Sequence, residues 1–488
     1  MKKPPQSNAA RPPIVVVLGH VDHGKTTLLD FIRKANVAAR EAGGITQSVG
    51  AYEIVHGGRK ITFIDTPGHE AFTKIRSRGA RVADIAVLVI AADDSIKPQT
   101  EESLRILREE KTPFVVAINK IDAPGADVEK VKTDLLQHDV LLEGFGGAVS
   151  WQAVSAKTGQ GVSELLDLIL LTADVEGLAA ENMEDAGSGY VIESRMDRNR
   201  GIEATVILKN GVLRPGFGIM AGAATGKIKI LEDFLGKRAT ELHPSSPAVI
   251  IGFATLPAIG EEFKAGASME AQEPVAPTVK TGVPAGELVT EEPSGTPAIN
   301  VILKADTAGS LEAFSGIVRA METDAIKVNI VGESVGDVTD GDIRTAGDTG
   351  AIVMGFRSRV TKSAETLARA QNVRVITADI IYELTKKTEE LLQSATAPAV
   401  LGELEVLALF SESGNKQVIG GKVTAGALKT NATADIVHAG EAVGRAKITN
   451  LQTGRKDVPT VESGKECGLM VQITDMRVRQ GDVLRITE

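Results

Sequence analysis

Gly19-His20-Val21-Asp22-His23-Gly24-Lys25-Thr26 decides how the first part of this chain folds. The apolar run 14–18 precedes it and reads as a buried strand, and 27–33 reads as the first turns of a helix. Strand, glycine loop, Lys-Thr and helix is the setting that G-x-x-x-x-G-K-[ST] needs to bind phosphate. Glycines let successive backbone N–H groups point inward at anionic oxygens, and the helix N-terminus adds positive dipole. Lys25 supplies a point charge for the terminal phosphates. Thr26, with Thr27 beside it, offers a hydroxyl for Mg²⁺.

Working outward, 488 residues exceed what one core supports, so several domains are expected. One Trp and three Tyr argue against nucleic-acid binding through many stacking platforms. A net charge of −10 argues against broad non-specific binding to nucleic acid. The single cysteine, Cys467, excludes a disulfide framework and a cysteine zinc site, and a reducing, cytoplasmic setting is the natural reading. No apolar run is long enough to span a membrane, and 1–13 is a short, basic, Pro-rich stretch read as a disordered tail.

The domain at 14–182 carries more phosphate chemistry. Residues 41–48 are polar and Gly-containing, which suits a mobile segment that a γ-phosphate orders. An apolar strand at 61–64 ends at Asp65, placed for Mg²⁺, and Gly68 brings an N–H to the γ-phosphate. Further apolar strands at 85–90 and 114–118, with a helix at 99–110, predict a doubly wound parallel sheet whose ligand sits at the strands' carboxyl ends. After the 114–118 strand come Asn119, Lys120 and Asp122. A carboxylate there accepts N1–H and the exocyclic N–H of guanine, a donor pair adenine lacks. The backbone of Ser155-Ala156-Lys157 is placed for the guanine O6. All four motifs in this order select GTP over ATP.

Residues 183–268 show short strands and turn signals at Asn210-Gly211 and Pro215-Gly216, which predict a small β-barrel. A linker at 269–297 is rich in Pro, Gly, Glu and Thr. Residues 298–378 alternate strands and helices as an α/β/α domain, and Gly332-Glu-Ser-Val-Gly336 puts an acid where a phosphate loop would want none. The helix at 379–398 carries Ile380, Ile381, Leu384, Leu391 and Leu392 on one stripe, with a Glu383–Lys387 pair. It reads as a connector between domains or as a helix packed on the preceding sheet. Residues 399–488 predict a second β-barrel. With eleven Lys/Arg and eleven Asp/Glu over 401–488 it is neutral within an acidic chain, compatible with a small polyanion site. The fold class is multidomain α/β plus β.

The phosphate loop and Asp65-Thr-Pro-Gly-His69 resemble the translational GTPases. Gly43-Gly-Ile-Thr-Gln47 and the run 91–100 are similar to bacterial-type translation initiation factor two, and the resemblance extends from Ile14 to the end. It implies that His69 orients the attacking water and that Val21 and Ile45 gate it. By the same resemblance Thr46 joins Thr26 around Mg²⁺, and Asp22 helps bind a monovalent cation. Ser48, Ser95 and Lys465 depart from the family, which usually shows His, Gly and an aromatic residue there. Glu466-Cys467-Gly468, preceded by Arg455-Lys456, resembles the family's initiator-tRNA signature, with Cys467 near the aminoacyl pocket and Arg455 and Lys456 near the acceptor end. The connector reading of 379–398 follows from the same likeness. The function implied is a monomeric, ribosome-stimulated GTPase. It brings formylmethionyl initiator tRNA to the small subunit and promotes joining of the large one, alongside other initiation factors. An elongator-type tRNA carrier and a non-ribosomal GTPase, such as a sulfate-activating subunit, are the rival readings.

Overall fold

The computed structural model describes residues 9–34, 49–68, 70–180, 186–267, 269, 298–323, 327–396, 400–438, 441–454, 456–474 and 476–487. The chain divides into two compact units, 1–389 and 390–488.

In the first unit the apolar runs become strands buried on both faces. The elements are β1 (Ala9–Ala10), β2 (Ile14–Gly19), α1 (Lys25–Arg33), β3 (Gly50–His56), β4 (Arg59–Asp65), α2 (Thr73–Val82) and β5 (Ile85–Ala91). They continue as α3 (Pro98–Glu110), β6 (Phe114–Asn119), α4 (Val128–Gln137), β7 (Trp151–Ala153), α5 (Val162–Glu176) and β8 (Ala179–Ala180). The sheet order is β3-β4-β2-β5-β6-β7. Strand alternation splits the core. Val16, Leu18, Leu88 and Val116 pack with Leu104 and Leu107 of α3, while Val15, Val17, Val87 and Val115 pack with Leu28 and Leu165. The register pairs Val17 with Asp65, Gly19 with Val89 and Ala91 with Asn119, so the motif loops leave one edge together.

Two expectations need correction here. The sheet is parallel except at its edge, where β3 runs antiparallel to β4 across the two-residue turn Gly57-Gly58. The tail read over 1–13 is ordered from Ala9 onward. Ala9 and Ala10 pair with Ala180 and Ala179, and both Arg11 terminal nitrogens donate to Asp84 at 2.6 Å. Burial of that ion pair explains why a basic, Pro-rich stretch is held in place.

β9 (Gly187–Asp197), β10 (Gly201–Asn210), β11 (Gly218–Ala221), β12 (Ala224–Asp233), β13 (Pro247–Phe253) and β14 (Glu262–Gly266) close an antiparallel barrel. Lys209 Nζ donates to Asp84 at 2.7 Å and Thr62 Oγ1 to Ser245 O at 2.6 Å, tying the barrel to the first sheet. The expected linker at 269–297 lies outside the described residues, apart from Met269.

β15 (Ala298–Ala305), α6 (Ala308–Ala320), β16 (Lys327–Val335), α7 (Asp340–Thr349), β17 (Ile352–Phe356), α8 (Lys362–Gln371) and β18 (Val375–Ala378) form a second parallel sheet with its helices, in the order β16-β15-β17-β18. Most of Gly332–Gly336 lies within β16, where Glu333 accepts from Ser315. In α9 (Ile381–Thr396) Ile381 and Leu384 are fully buried, and the division between the units falls inside this helix. The Glu383–Lys387 pair does not form. Lys387 Nζ is turned instead to Thr377 O at 3.5 Å, because the sheet's last strand offers a carbonyl there.

The second unit holds β19 (Val400–Ser413), β20 (Lys416–Lys429), β21 (Thr433–His438), β22 (Glu441–Thr453), β23 (Lys456–Asp457), β24 (Thr460–Glu462), β25 (Glu466–Ile473) and β26 (Val483–Thr487). Because β19 also pairs β20, the path β19-β26-β21-β22-β25-β20 closes into a six-stranded barrel, with β23 and β24 appended. No helix among the described residues is long and apolar enough to cross a membrane.

Candidate functional site

β2 delivers the chain into the loop Gly19–Gly24, and α1 starts at Lys25. Gly24 has φ +84°, and a Cβ there would lie 2.4 Å from Asn119 Nδ2, so only glycine fits. Lys25 is buried and donates from Nζ to Gly19 O at 2.8 Å and His20 O at 2.5 Å. Burial pushes its ammonium down to about 7. Asp65 opposes the shift, and Arg76 adds to it. An anion entering this loop supplies the countercharge that burial removes. A Cβ on Gly68 would lie 2.6 Å from Lys25 Nζ, so the backbone after Asp65 closes directly over that lysine.

His20 and His23 meet edge to face at 5.0 Å. Burial, helped by the neighbouring His20, pushes His23 down to about 4, and burial with Lys25 lowers His20. At neutral pH His23 is therefore an uncharged prop against Val89 O, which it approaches at 3.4 Å.

Asn119 spans the loops. Its Nδ2 donates to His23 O and its Oδ1 accepts from Ala156 N, both at 2.9 Å. Ser155 Oγ donates to Asp122 Oδ1 at 2.6 Å and accepts from Thr158 N at 3.1 Å. The Ser155 hydroxyl holds the Asp122 carboxyl below its usual range, so it remains an acceptor. The loops that leave this edge of the sheet, with the first turn of α1, thus carry Gly19, His20, Val21, Asp22, His23, Gly24, Lys25, Thr26, Thr27, Asp65, Gly68, Asn119, Lys120, Asp122, Ser155, Ala156 and Lys157. Ile45, Thr46, His69 and Arg455 lie outside the described residues.

Two residues escaped the sequence reading. Arg76 of α2 is wholly buried; it donates to Pro67 O at 3.1 Å and forks onto Glu102 at 2.7 and 2.8 Å. It thereby braces the backbone next to Gly68. Gln99 of α3 accepts the Val21 N–H at 2.8 Å. The only signal for either was a polar residue at a helix position that α/β packing covers.

In the second unit an open cleft of about 430 Å³ is bordered by Leu407, Phe410, Gln452, Glu466, Cys467 and Gly468. Register pairs Gly420 with Gly468, Gly421 with Cys467 and Gln452 with Gly468, so glycines keep the cleft floor low. Cys467 is buried, which pushes its thiol up to about 11 and keeps it neutral. Lys456 is exposed on β23, paired to Thr453. Lys465 is turned to Glu462 at 3.3 Å.

The family described as Elongation factor Tu GTP binding domain matches residues 11–174, Elongation factor G domain 2 matches 186–266, and Translation-initiation factor 2 matches 286–389. Translation initiation factor IF-2 of Rubrobacter xylanophilus is 41% identical over 499 residues, covering 99% of this chain and 72% of its own. That of Deinococcus radiodurans is 40% identical over 506 residues, covering 98% and 82%. The crystal structure of GDP-bound aIF5B from Aeropyrum pernix aligns at 25% identity over 98% of this chain and 92% of its own, with a TM-score of 0.47. With phosphate loop, guanine motifs and near-complete alignment in agreement, the chain belongs to the translation initiation factor IF-2 family and is a translational GTPase.

Proposed function

We propose that the chain brings formylmethionyl initiator tRNA to the small ribosomal subunit, promotes subunit joining, and hydrolyses GTP when the ribosome stimulates it. The observation that carries the tRNA part is the cleft beside Cys467. Its volume suits a methionyl side chain and its ester. Leu407, Phe410 and the neutral Cys467 thiol offer apolar contact to a methionyl side chain. Lys456 and Arg455 are assigned to the acceptor end, and Glu466 and Gly468 to the tRNA site with Cys467.

In the nucleotide pocket Lys25 and the loop N–H groups hold phosphates, Asp122 reads guanine, and Asn119, Lys120 and Ser155–Lys157 shape the base site. Thr26 and Asp65, with Thr46, are a hard oxygen set that fits Mg²⁺. The register of Asp65 beside Val17 and the position of Thr26 in the first turn of α1 support this. Mg²⁺ held by these oxygens would supply neutralisation of phosphate charge. Asp22 is the candidate for a monovalent cation. His69 is assigned to orient the attacking water, with Val21 and Ile45 restraining it until the ribosome engages. The partners are both ribosomal subunits, initiator tRNA and other initiation factors, met in the cytoplasm by a monomer.

The test is protection of the formylmethionyl-tRNA ester against hydrolysis. Methionyl initiator tRNA and an elongator aminoacyl-tRNA serve as controls. Selective protection, lost in Arg455→Ala combined with Cys467→Arg while GTPase activity persists, is expected. Equal protection of all three tRNAs would favour an elongator-type carrier. His69→Ala retaining ribosome-stimulated turnover with unchanged GTP binding would remove the catalytic assignment.

A further inference from the structure

We propose that Gln99 is a positioning residue for GTP hydrolysis, holding the phosphate loop so that Val21 borders the backbone at Gly68. The proposal rests on the reading of Val21 as a restraining residue.

The geometry starts with one hydrogen bond. Val21 N–H is directed at Gln99 Oε1, 2.8 Å away on α3. In an anion-binding loop the backbone N–H groups are the ligands. This one is taken by a side chain, and the Gln99 carboxamide fixes its peptide plane. The chain then reverses at Asp22, whose φ of +65° is a left-handed value for a residue with a side chain. His23 N then donates back to His20 O at 3.4 Å, so the reversal closes as a tight turn with Val21 inside it.

Gln99 is itself held firmly. Pro98 occupies the first helical position, and Thr100 N donates to Lys97 O at 2.8 Å while Lys97 N donates back to Thr100 Oγ1 at 3.3 Å. Ser103 Oγ donates to Gln99 O at 2.7 Å, and Thr100 and Ser103 are fully buried. The carboxamide therefore projects from a rigid turn, the condition under which a side chain sets geometry instead of following it.

The consequence appears at Val21. A Cβ on Gly68 would lie 3.2 Å from Val21 Cγ2. That valine is thus the apolar neighbour of the backbone closing over Lys25. Releasing its N–H frees the side chain to leave that position without removing any group that holds phosphate. The effect belongs in turnover, not in affinity.

The experiment compares Gln99→Met, which keeps length and loses the acceptor, with Gln99→Glu, which keeps an oxygen acceptor. Val21→Ala runs in parallel. Single-turnover GTP hydrolysis without ribosomes is measured at saturating GTP, with GDP and GTP affinities measured separately. Gln99→Met is expected to raise the ribosome-free rate about fivefold, the weight of one neutral hydrogen bond, with GDP affinity changed less than about twofold. Gln99→Glu returns the rate toward the wild-type value. Val21→Ala raising the rate while Gln99→Met leaves it unchanged overturns the role of Gln99 and leaves the reading of Val21 intact. Neither variant changing the rate overturns both. Equal losses of GDP and GTP affinity in Gln99→Met, with no change in rate, reduce Gln99 to a structural residue.

Discussion

Glu193 lies where the first barrel meets the α/β domain, and it makes that junction sensitive to pH. Its Oε1 accepts from Ser194 N at 2.9 Å and from Gly309 N at 3.2 Å, in the first turn of α6. These bonds and the Thr307 hydroxyl favour the carboxylate, but burial outweighs them, Asp306 adds repulsion, and the group is pushed up from 4.5 to about 7. The folded value exceeds the unfolded one, so folding takes up a proton between them. The stabilisation is present in full below about pH 4.5 and is lost as pH rises through about 7. At about 1.4 kcal/mol per pH unit the gap is worth about 3 kcal/mol. Glu193→Gln imitates the protonated form at every pH. Hydrogen exchange of β9 and α6 amides, corrected for the intrinsic pH dependence of exchange, reports the local opening free energy. In the wild type it should fall by up to about 3 kcal/mol between pH 5 and 8. In the variant most of that slope should vanish, leaving a remainder from Asp306, whose carboxyl burial also raises. A wild-type profile flat over this range, or an equal slope in Glu193→Gln, would refute the reasoning.

Asn119→Ala leaves His23 O and Ala156 N without partners, at roughly 1–3 kcal/mol each. Calorimetric titration should show GTP and GDP affinity falling together by at least about tenfold. Ser95 has φ +60° and donates to Asp134 at 2.6 Å, so the hydroxyl offsets a left-handed backbone where the family usually shows glycine. Ser95→Ala should lower stability by about 1–3 kcal/mol in denaturant titrations, whereas Ser95→Gly should cost less because it also relieves the backbone. Burial pushes Asp84 up, but Arg11 and Lys209 overcome it and hold the carboxyl below its usual value. Its contribution is therefore present above the unfolded value of 3.8 and lost as pH falls through the lower folded value. Arg11→Ala should cost about 1.5–3 kcal/mol, because Lys209 still pairs with Asp84, seen as a lower Tm at neutral pH.

Single-sequence reading reached furthest where one residue type does one job in one place. Continuous runs of Val, Ile and Leu can only be buried strands in an α/β layer, so β2, β5 and β6 were legible to within a residue or so at each end. The phosphate loop and Asp65 were legible for the same reason, since each motif sits where such a strand stops. β3 was not legible. Gly50–His56 mixes Tyr52, Ile54 and Val55 with Glu53 and His56, and its identity comes from pairing with β4. The second role of Asn119 was also hidden. A base-pocket residue became a cross-brace because folding brings His23 O and Ala156 N within hydrogen-bond reach, from 96 and 37 residues away. Arg76 shows the same limit. An arginine in a helix reads as solvated until Pro67 O and Glu102 close around it.

The last of these hidden residues lies on α2. Arg76, at its middle, holds the backbone beside Gly68. Two residues to either side of it on the same helix, Lys74 and Arg78 both reach Glu312 of α6, Lys74 at 3.2 Å. α6 in turn receives Glu193 at its N-terminus. α6 is therefore held by two attachments. One is electrostatic and half-exposed through Glu312, where screening keeps each surface pair to about 1 kcal/mol or less. The other is buried through Glu193, where protonation is worth about 3 kcal/mol. The larger quantity lies on the buried attachment. The junction's resistance to opening is therefore governed more by the protonation of Glu193 than by salt acting on Lys74 and Arg78. Raising ionic strength should leave the exchange slope of α6 with pH almost intact. A slope that disappears in high salt would place the coupling on Glu312 instead.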